Sequence, residues 1–269
     1  MNRAVFNETW RQTWLQAILW GIGLGAMGFL VVLMIPDAEG LKQMRDLIAS
    51  LPPIMVRAIG VGDDLDFITT PEGFIAVGFF GKTLLILAAY PVIVGLRVTS
   101  VEEHNGTMDI LLSFPLKRWQ VVLQKFVAYT ITAGIVIAWL FVGMWVGQAV
   151  TGLSLNMGRI AQTILNTLPC LAVILAFTTL VGAMINNRRL VIGISTVFVL
   201  GSFMLDTVGQ LAKGTFAEDL RALSFFRYYD STGVMQHGLS VGNFLLLLAA
   251  AALMVSLSLV AFQRRDVGV

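Results

Sequence analysis

Long apolar runs, separated by shorter polar segments, organise the whole chain. A helix needs about 20 apolar residues to cross the roughly 30 Å hydrocarbon layer of a bilayer. The alternation of apolar and polar residues that marks a membrane barrel is absent, so each run is predicted to be a helix. The fifth run is the shortest, because only about 16 residues separate Arg189 from Asp206. The predicted spans cover residues 14–35, 73–98, 126–150, 162–185, 190–208 and 241–262.

Composition agrees with a membrane environment. Of the 269 residues, 57% are hydrophobic and 13% are charged, whereas about 25% are charged in an ordinary soluble domain. The first run is longer than a signal-peptide core and no small-x-small cleavage site follows it, so we expect it to remain as an anchor. The fold class is therefore an all-α membrane protein, with six transmembrane helices in a single domain over residues 1–269.

Basic residues predict the orientation of this domain. With both termini in the cytoplasm, the short inner segments hold ten of the 18 Lys and Arg and five of the 16 acids, as the positive-inside rule requires. The net charge of +2 reflects this topology and indicates no nucleic-acid partner. The ten inner bases are Arg3, Arg11, Arg97, Lys117, Arg118, Lys125, Arg188, Arg189, Arg264 and Arg265.

The stretch AVGFFGKT, residues 76–83, fits the loose pattern of a phosphate-binding loop. Such a loop follows a strand and wraps phosphates with backbone N–H groups in water. Here the stretch lies inside the second predicted span, so it is predicted not to bind nucleotide. Lys82 lies roughly 10 Å from the outer end of that helix. It either extends to the outer interface or faces a substrate path.

The longest predicted cytoplasmic loop, residues 97–125, has an apolar face that water cannot cover. Met108, Leu111 and Leu112 share one side of a short helix within it. This helix is predicted either to lie on the lipid surface or to dock on a protein. Three acids, Glu102, Glu103 and Asp109, are disfavoured beside an anionic leaflet, so a protein partner is the favoured alternative.

The same residues resemble a known family. Glu102, Gly106 and Thr107, followed by DILLSFPLKRWQVVLQK, are similar to the signature E-x-x-x-G-T-x-(E/D)-x-L-L-(S/T)-x-P-(I/V/L)-x-R of permease subunits in the type-2 ABC exporter superfamily. FFRYYD before the last span and FQRRDV at the end of the chain resemble further features of these permeases. Lys117 departs from the usual serine or threonine, which affects only the fine contacts of the loop.

The resemblance implies a division of labour. This chain supplies half of a transmembrane pathway, and two copies of a separate cytoplasmic ABC ATPase bind ATP and magnesium. A second permease copy, identical or different, completes the pathway. The chain itself is implied to be non-catalytic and to hold no cofactor or metal. Export of a hydrophobic or amphiphilic compound is the expected activity.

The resemblance also assigns roles in the loop at residues 99–125, which becomes a coupling helix between the second and third spans. Glu102 pairs with a basic group or helix end on the ATPase, Gly106 permits close backbone approach, and Thr107 caps the helix. Pro115 and Arg118 fix its angle to the third span. The residues implied to contact the ATPase are Glu102, Glu103, Gly106, Thr107, Met108, Asp109, Leu111, Leu112, Pro115 and Arg118.

Small residues on the first span form a candidate packing face. Gly21, Gly25 and Gly28 have the spacing that lets helix backbones approach closely. This face packs either on a second copy or within one subunit. Pro91 and Pro169 lie inside spans, where each is expected to kink its helix.

Two other function classes fit the sequence less well. A secondary carrier usually has several ionisable or broken-helix sites at the membrane midplane and an internal repeat between its halves, and the sequence indicates neither. A membrane-embedded enzyme needs a paired acid, base or metal set. The two histidines, His104 and His237, fall on opposite sides of the predicted membrane, and Cys170 is the only cysteine.

Overall fold

The structure is a computed structural model that describes residues 4–52, 55–56, 65–98, 118–185, 187–212 and 214–264. These residues form helices joined by turns, and no strand occurs among them. Six helices are long and apolar enough to cross a membrane, which confirms the predicted all-α membrane class. Their spanning parts are Val5–Leu33, Pro71–Val98, Trp119–Thr151, Met157–Met184, Arg188–Leu211 and Val241–Gln263.

Two helices extend beyond the apolar runs that predicted them. The helix of the first span begins at Ala4, where residues as polar as Asn7 and Glu8 still form its first turns. The helix of the third span begins at Arg118, so residues 118–125 are helical although the prediction placed them in the loop. Hydrophobicity predicts where a helix meets hydrocarbon, but a helix continues into water while its backbone hydrogen bonds remain intact.

The fourth span is the central element of the fold. In the most apolar 18-residue stretch of this span, 78% of the residues are buried, compared with 22% in the corresponding stretch of the fifth and of the sixth span. Its helix packs mainly on the sixth, third and second spans. Buried hydroxyls on this helix donate back to backbone carbonyls four residues earlier, as Thr178 does to Ile174 and Thr179 to Leu175. These bonds satisfy polar groups that would otherwise be costly in an apolar core.

The first and third spans pack more extensively than any other pair of described elements. Gly25 and Gly143 lie at their crossing, and a Cβ atom added at Gly143 would overlap the carbonyl oxygen of Gly25. A Cβ at Gly28 would lie 2.8 Å from the carbonyl oxygen of Leu140. Glycine at these positions therefore lets the two backbones touch directly.

A short amphipathic helix, Ala38–Ala49, follows the first span on the predicted outer side. Asp37 caps it by accepting a hydrogen bond from the Gly40 N–H at 2.8 Å. Leu41 and Ile48 are buried, whereas Leu47 is exposed.

Four short helical elements connect the fifth span to the sixth, with bounds Phe216–Leu220, Arg221–Leu223, Phe225–Tyr229 and Ser231–His237. This segment, residues 216–237, lies on the predicted outer side and is called the outer segment below. An ion pair holds it to the fifth span, with the Arg221 Nε 2.7 Å from Asp206 Oδ1. Gln210 donates to the other carboxylate oxygen of Asp206 at 2.6 Å. The N–H of Phe225 donates to Ser202 Oγ at 3.0 Å. Arg221 and Phe225 therefore both hold the segment to the C-terminal half of the fifth helix.

Candidate functional site

The second span consists of three α-helices, separated by a π-helical turn and by a break at Ala88. An α-helix over Pro71–Ile75 passes into a π-helical turn, Ala76–Phe80, which is followed by α-helices over Gly81–Leu87 and Ala89–Val98. The stretch AVGFFGKT is therefore helical throughout, which is not the strand-loop-helix geometry of a phosphate-binding loop.

The two breaks differ in their backbone hydrogen bonds. At the π turn the N–H of Gly81 donates to the Ala76 carbonyl, five residues earlier, so one extra residue is accommodated in the helix. The second break, at Ala88, precedes Pro91 by three residues. Because proline has no N–H, the Leu87 carbonyl loses its ordinary helical partner, and the ring crowds that carbonyl. The predicted kink at Pro91 thus corresponds to an interruption, whereas Pro169 lies inside one continuous helix, Met157–Met184.

Exposed side chains of the second span form a single narrow stripe. Successive members are four, four, three and four residues apart, which is the spacing of one helix face. All other described residues of this span are buried or half-buried. The stripe consists of Gly78, Lys82, Ile86, Ala89 and Ile93.

Lys82 is the charged member of this stripe. It lies ten residues from Glu72 and fifteen from Arg97, the charged residues nearest to the two ends of the span. At 1.5 Å per residue its Cα is about 15 Å from the Glu72 end. The roughly 10 Å predicted from the sequence was too small, because residues 73 to 82 alone span about 13 Å of helix and the helix begins two residues earlier, at Pro71. Among the described residues no carboxylate forms an ion pair with Lys82.

The outer segment contacts the second span beside Lys82. The Tyr229 hydroxyl donates to the Phe80 carbonyl, in the π turn, at 3.4 Å. Asn166 of the fourth span donates to the Tyr229 carbonyl at 2.5 Å. Burial raises the pKa of Tyr229 well above its usual range, so its hydroxyl remains a neutral donor. The π turn is thus connected to both the outer segment and the central helix.

The glycine face of the first span lies against the third span of the same chain. Cβ atoms added at Gly21 and Gly25 would contact the side chain and backbone of Trp139, and one at Gly28 would contact Leu140. Packing within one subunit therefore occupies this face.

The predicted coupling residues from Glu102 to Pro115 lie outside the described residues. The backbone of Arg118 forms the start of the third helix. The sequence missed the π turn, because no residue in AVGFF is specific for an extra helical residue. It also missed the stripe, although charge at position 82 in an apolar run was a signal for it.

The chain was compared with known protein families. The family described as multidrug efflux system permease Rv1217c, C-terminal domain, matches residues 5–263. No curated protein matched the chain. The match covers all six spanning helices, including the Lys82 stripe and the outer segment. The chain therefore belongs to this family of multidrug efflux permeases, and it is a multi-pass transmembrane exporter component.

Proposed function

We propose that this chain is the transmembrane subunit of an ATP-driven exporter of the type-2 ABC superfamily. The observation that carries the proposal is the match to an efflux permease family over residues 5–263, in a chain whose described residues are all helices and turns. The loop signature between Glu102 and Arg118 supports the ABC assignment. ATP and magnesium are bound by a separate ATPase, which docks on that loop at the cytoplasmic face, where both termini also lie.

Two permease domains form the pathway. The matching family is the C-terminal domain of its permease, so that permease has sequence beyond the region that this chain resembles. The resemblance to type-2 ABC permeases implies that one six-span set is one part of a larger transmembrane unit. In this chain a second copy, or a related permease, supplies the other part.

The Lys82 stripe faces the pathway between the two copies. A charged side chain facing lipid near the bilayer centre costs about 2.5–3.5 kcal/mol even on the most favourable scales. A lysine side chain extends toward an interface along its apolar stem, but here about 15 Å of helix separates its Cα from Glu72. Facing a water-containing pathway avoids this cost. The other stripe members are glycine, alanine and isoleucine, which suits a hydrophobic or amphiphilic cargo.

Reconstitution with the ATPase tests the proposed function. The permease would be co-expressed with the ABC ATPase encoded beside it, purified and placed in liposomes. We expect a complex with two ATPase chains whose ATP hydrolysis rises when hydrophobic or amphiphilic compounds are added. Transport driven by an ion gradient in the absence of any ATPase would instead identify a secondary carrier and contradict the proposal.

Replacing Lys82 with methionine tests the position of the stripe. We expect transport of anionic amphiphiles to fall about tenfold relative to neutral ones, because a hydrogen bond to a charged group is worth about 1.5–3 kcal/mol. Lys82→Arg should retain most of the preference. Leu246→Met, an exposed position of the sixth span, serves as the control. If Lys82 faces lipid, Lys82→Met will increase thermal stability and leave the substrate preference unchanged.

A further inference from the structure

A groove lies between the first and second spans, away from Lys82 and near the opposite end of the second span. Its volume is about 220 Å³. Two elements form its walls, one turn of the first helix and the Ala89–Val98 helix from Tyr90 to Arg97. The principal lining residues are Gln16, Leu19, Trp20, Tyr90, Ile93 and Arg97.

One end of the groove is cationic. Arg97 lies in the last turn of its helix, and its Nη1 donates to Gln16 Oε1 at 3.0 Å. A guanidinium has five N–H donors arranged as a planar fork, and none of the lining residues is acidic. Arg97 therefore retains donors for an anion, and phosphate fits this fork in a bidentate manner.

The rest of the groove is apolar and continues from the cationic end along both helices. Leu19 and Trp20 lie three and four residues after Gln16, whereas Ile93 lies four residues before Arg97. Leu19 is 63% exposed and Ile93 is 47% exposed. Trp20 packs edge-on against the buried Tyr90, with ring centroids 5.9 Å apart, and closes the back of the groove. The groove thus has a charged end at the helix terminus and an apolar wall directed into the membrane.

We propose that this groove binds a phospholipid, with the phosphate on Arg97 and one acyl chain along Leu19 and Ile93. The charge and polarity gradient of the groove matches that of a lipid from headgroup to tail. Arginine near the end of a spanning helix also lies at headgroup depth. The inference depends on the chain spanning a membrane. The groove shares Ile93 with the Lys82 stripe, but the inference is independent of the ATPase and of the role of Lys82. A structural lipid here would fill the space between the first and second spans.

Lipid retention in native mass spectrometry tests the site. Wild-type protein and variants would be purified in detergent, stripped of lipid and titrated with phosphatidylglycerol. We expect Arg97→Gln to reduce the retained lipid about tenfold, since it removes charged hydrogen bonds to phosphate. Arg189→Gln, at an exposed arginine in the first turn of the fifth span, should retain lipid as the wild type does. Equal retention by both variants would overturn the proposal.

Two further measurements separate the alternatives. Leu19→Trp keeps Arg97 and fills the space along the apolar wall, so this variant should also lose the lipid. It replaces Arg97→Gln if that variant does not fold.

Lipids brominated in the acyl chain should quench the tryptophan fluorescence of the wild type more than that of Trp20→Phe. Free phosphate should neither quench this fluorescence nor displace the lipid. Displacement by phosphate would identify a simple anion site. Loss of the dimer in Arg97→Gln without loss of lipid would identify a second copy as the occupant. Either result would contradict the proposal.

Discussion

Replacing Gly106 with tryptophan is expected to uncouple the exporter from its ATPase. In the proposed coupling loop this position needs close backbone approach to the ATPase, and a large side chain holds the two surfaces apart. ATP binding can move the permease only through a contact whose energy differs between the two states. Loss of that contact should reduce compound-stimulated ATP hydrolysis at least fivefold, since such coupling is typically worth about 5–150-fold. Glu102→Ala should act in the same direction by removing a charged partner.

The measurement is ATP hydrolysis by the reconstituted complex, with and without a stimulating compound. Co-purification of the ATPase with the permease shows whether a variant fails to assemble or assembles but fails to couple. Either failure is expected if the loop docks on the ATPase. Glu39→Ala removes an acid from the first turn of the helix Ala38–Ala49, far along the chain from the loop, and should leave stimulation unchanged. Normal assembly and normal stimulation in both loop variants would refute the coupling assignment.

Gly143→Leu should have the largest effect on stability. The added side chain would have to occupy the position of the Gly25 backbone, and backbone cannot move aside as the end of a flexible side chain can. Overpacking of a core costs about 1–3 kcal/mol, and a clash with backbone lies at or above the upper end of this range. The first and third spans should separate, and the protein should aggregate at a lower temperature in a heating series followed by size-exclusion chromatography.

A matched control is available in the fifth span. Gly193 and Gly201 are also helical, but a Cβ atom added at either meets nothing within 4 Å. Gly193→Ala should be neutral, or stabilising by about 0.5–1 kcal/mol, because alanine is the better helix former. If Gly143→Leu were as stable as Gly193→Ala, close contact between the first and third spans would be wrong.

Run length and charge were sufficient to predict the six spans and their helical class. They could not predict where a helix continues into water, as it does from Ala4 and Arg118. Pro91 indicated a break because its effect is local, whereas the π turn at Ala76–Phe80 depends on tertiary packing around it. The glycines of the first span indicated close packing, but their partner could only be identified from the positions of Trp139 and Leu140.

The candidate sites also differ in how far the sequence predicts them. Lys82 could be identified as the one charge in an apolar run. The helix face on which it lies could be found only from the structure, which shows which neighbouring residues are buried. The groove could not be predicted at all, since Gln16 and Arg97 are separated by 81 residues and neither belongs to a motif. The coupling loop, by contrast, is predicted from its sequence motif alone.

The crossing of the first and third spans has a consequence for synthesis at the ribosome. Gly25 leaves the ribosome 118 residues before Gly143, its contact partner. The second span, and the segment that precedes the third, are made in the interval. During translation the glycine-lined surface of the first helix therefore contacts lipid or an insertion factor. The third helix packs on this surface only after it has entered the bilayer. The order of emergence thus leaves the first helix without its main packing partner until the third helix has been made.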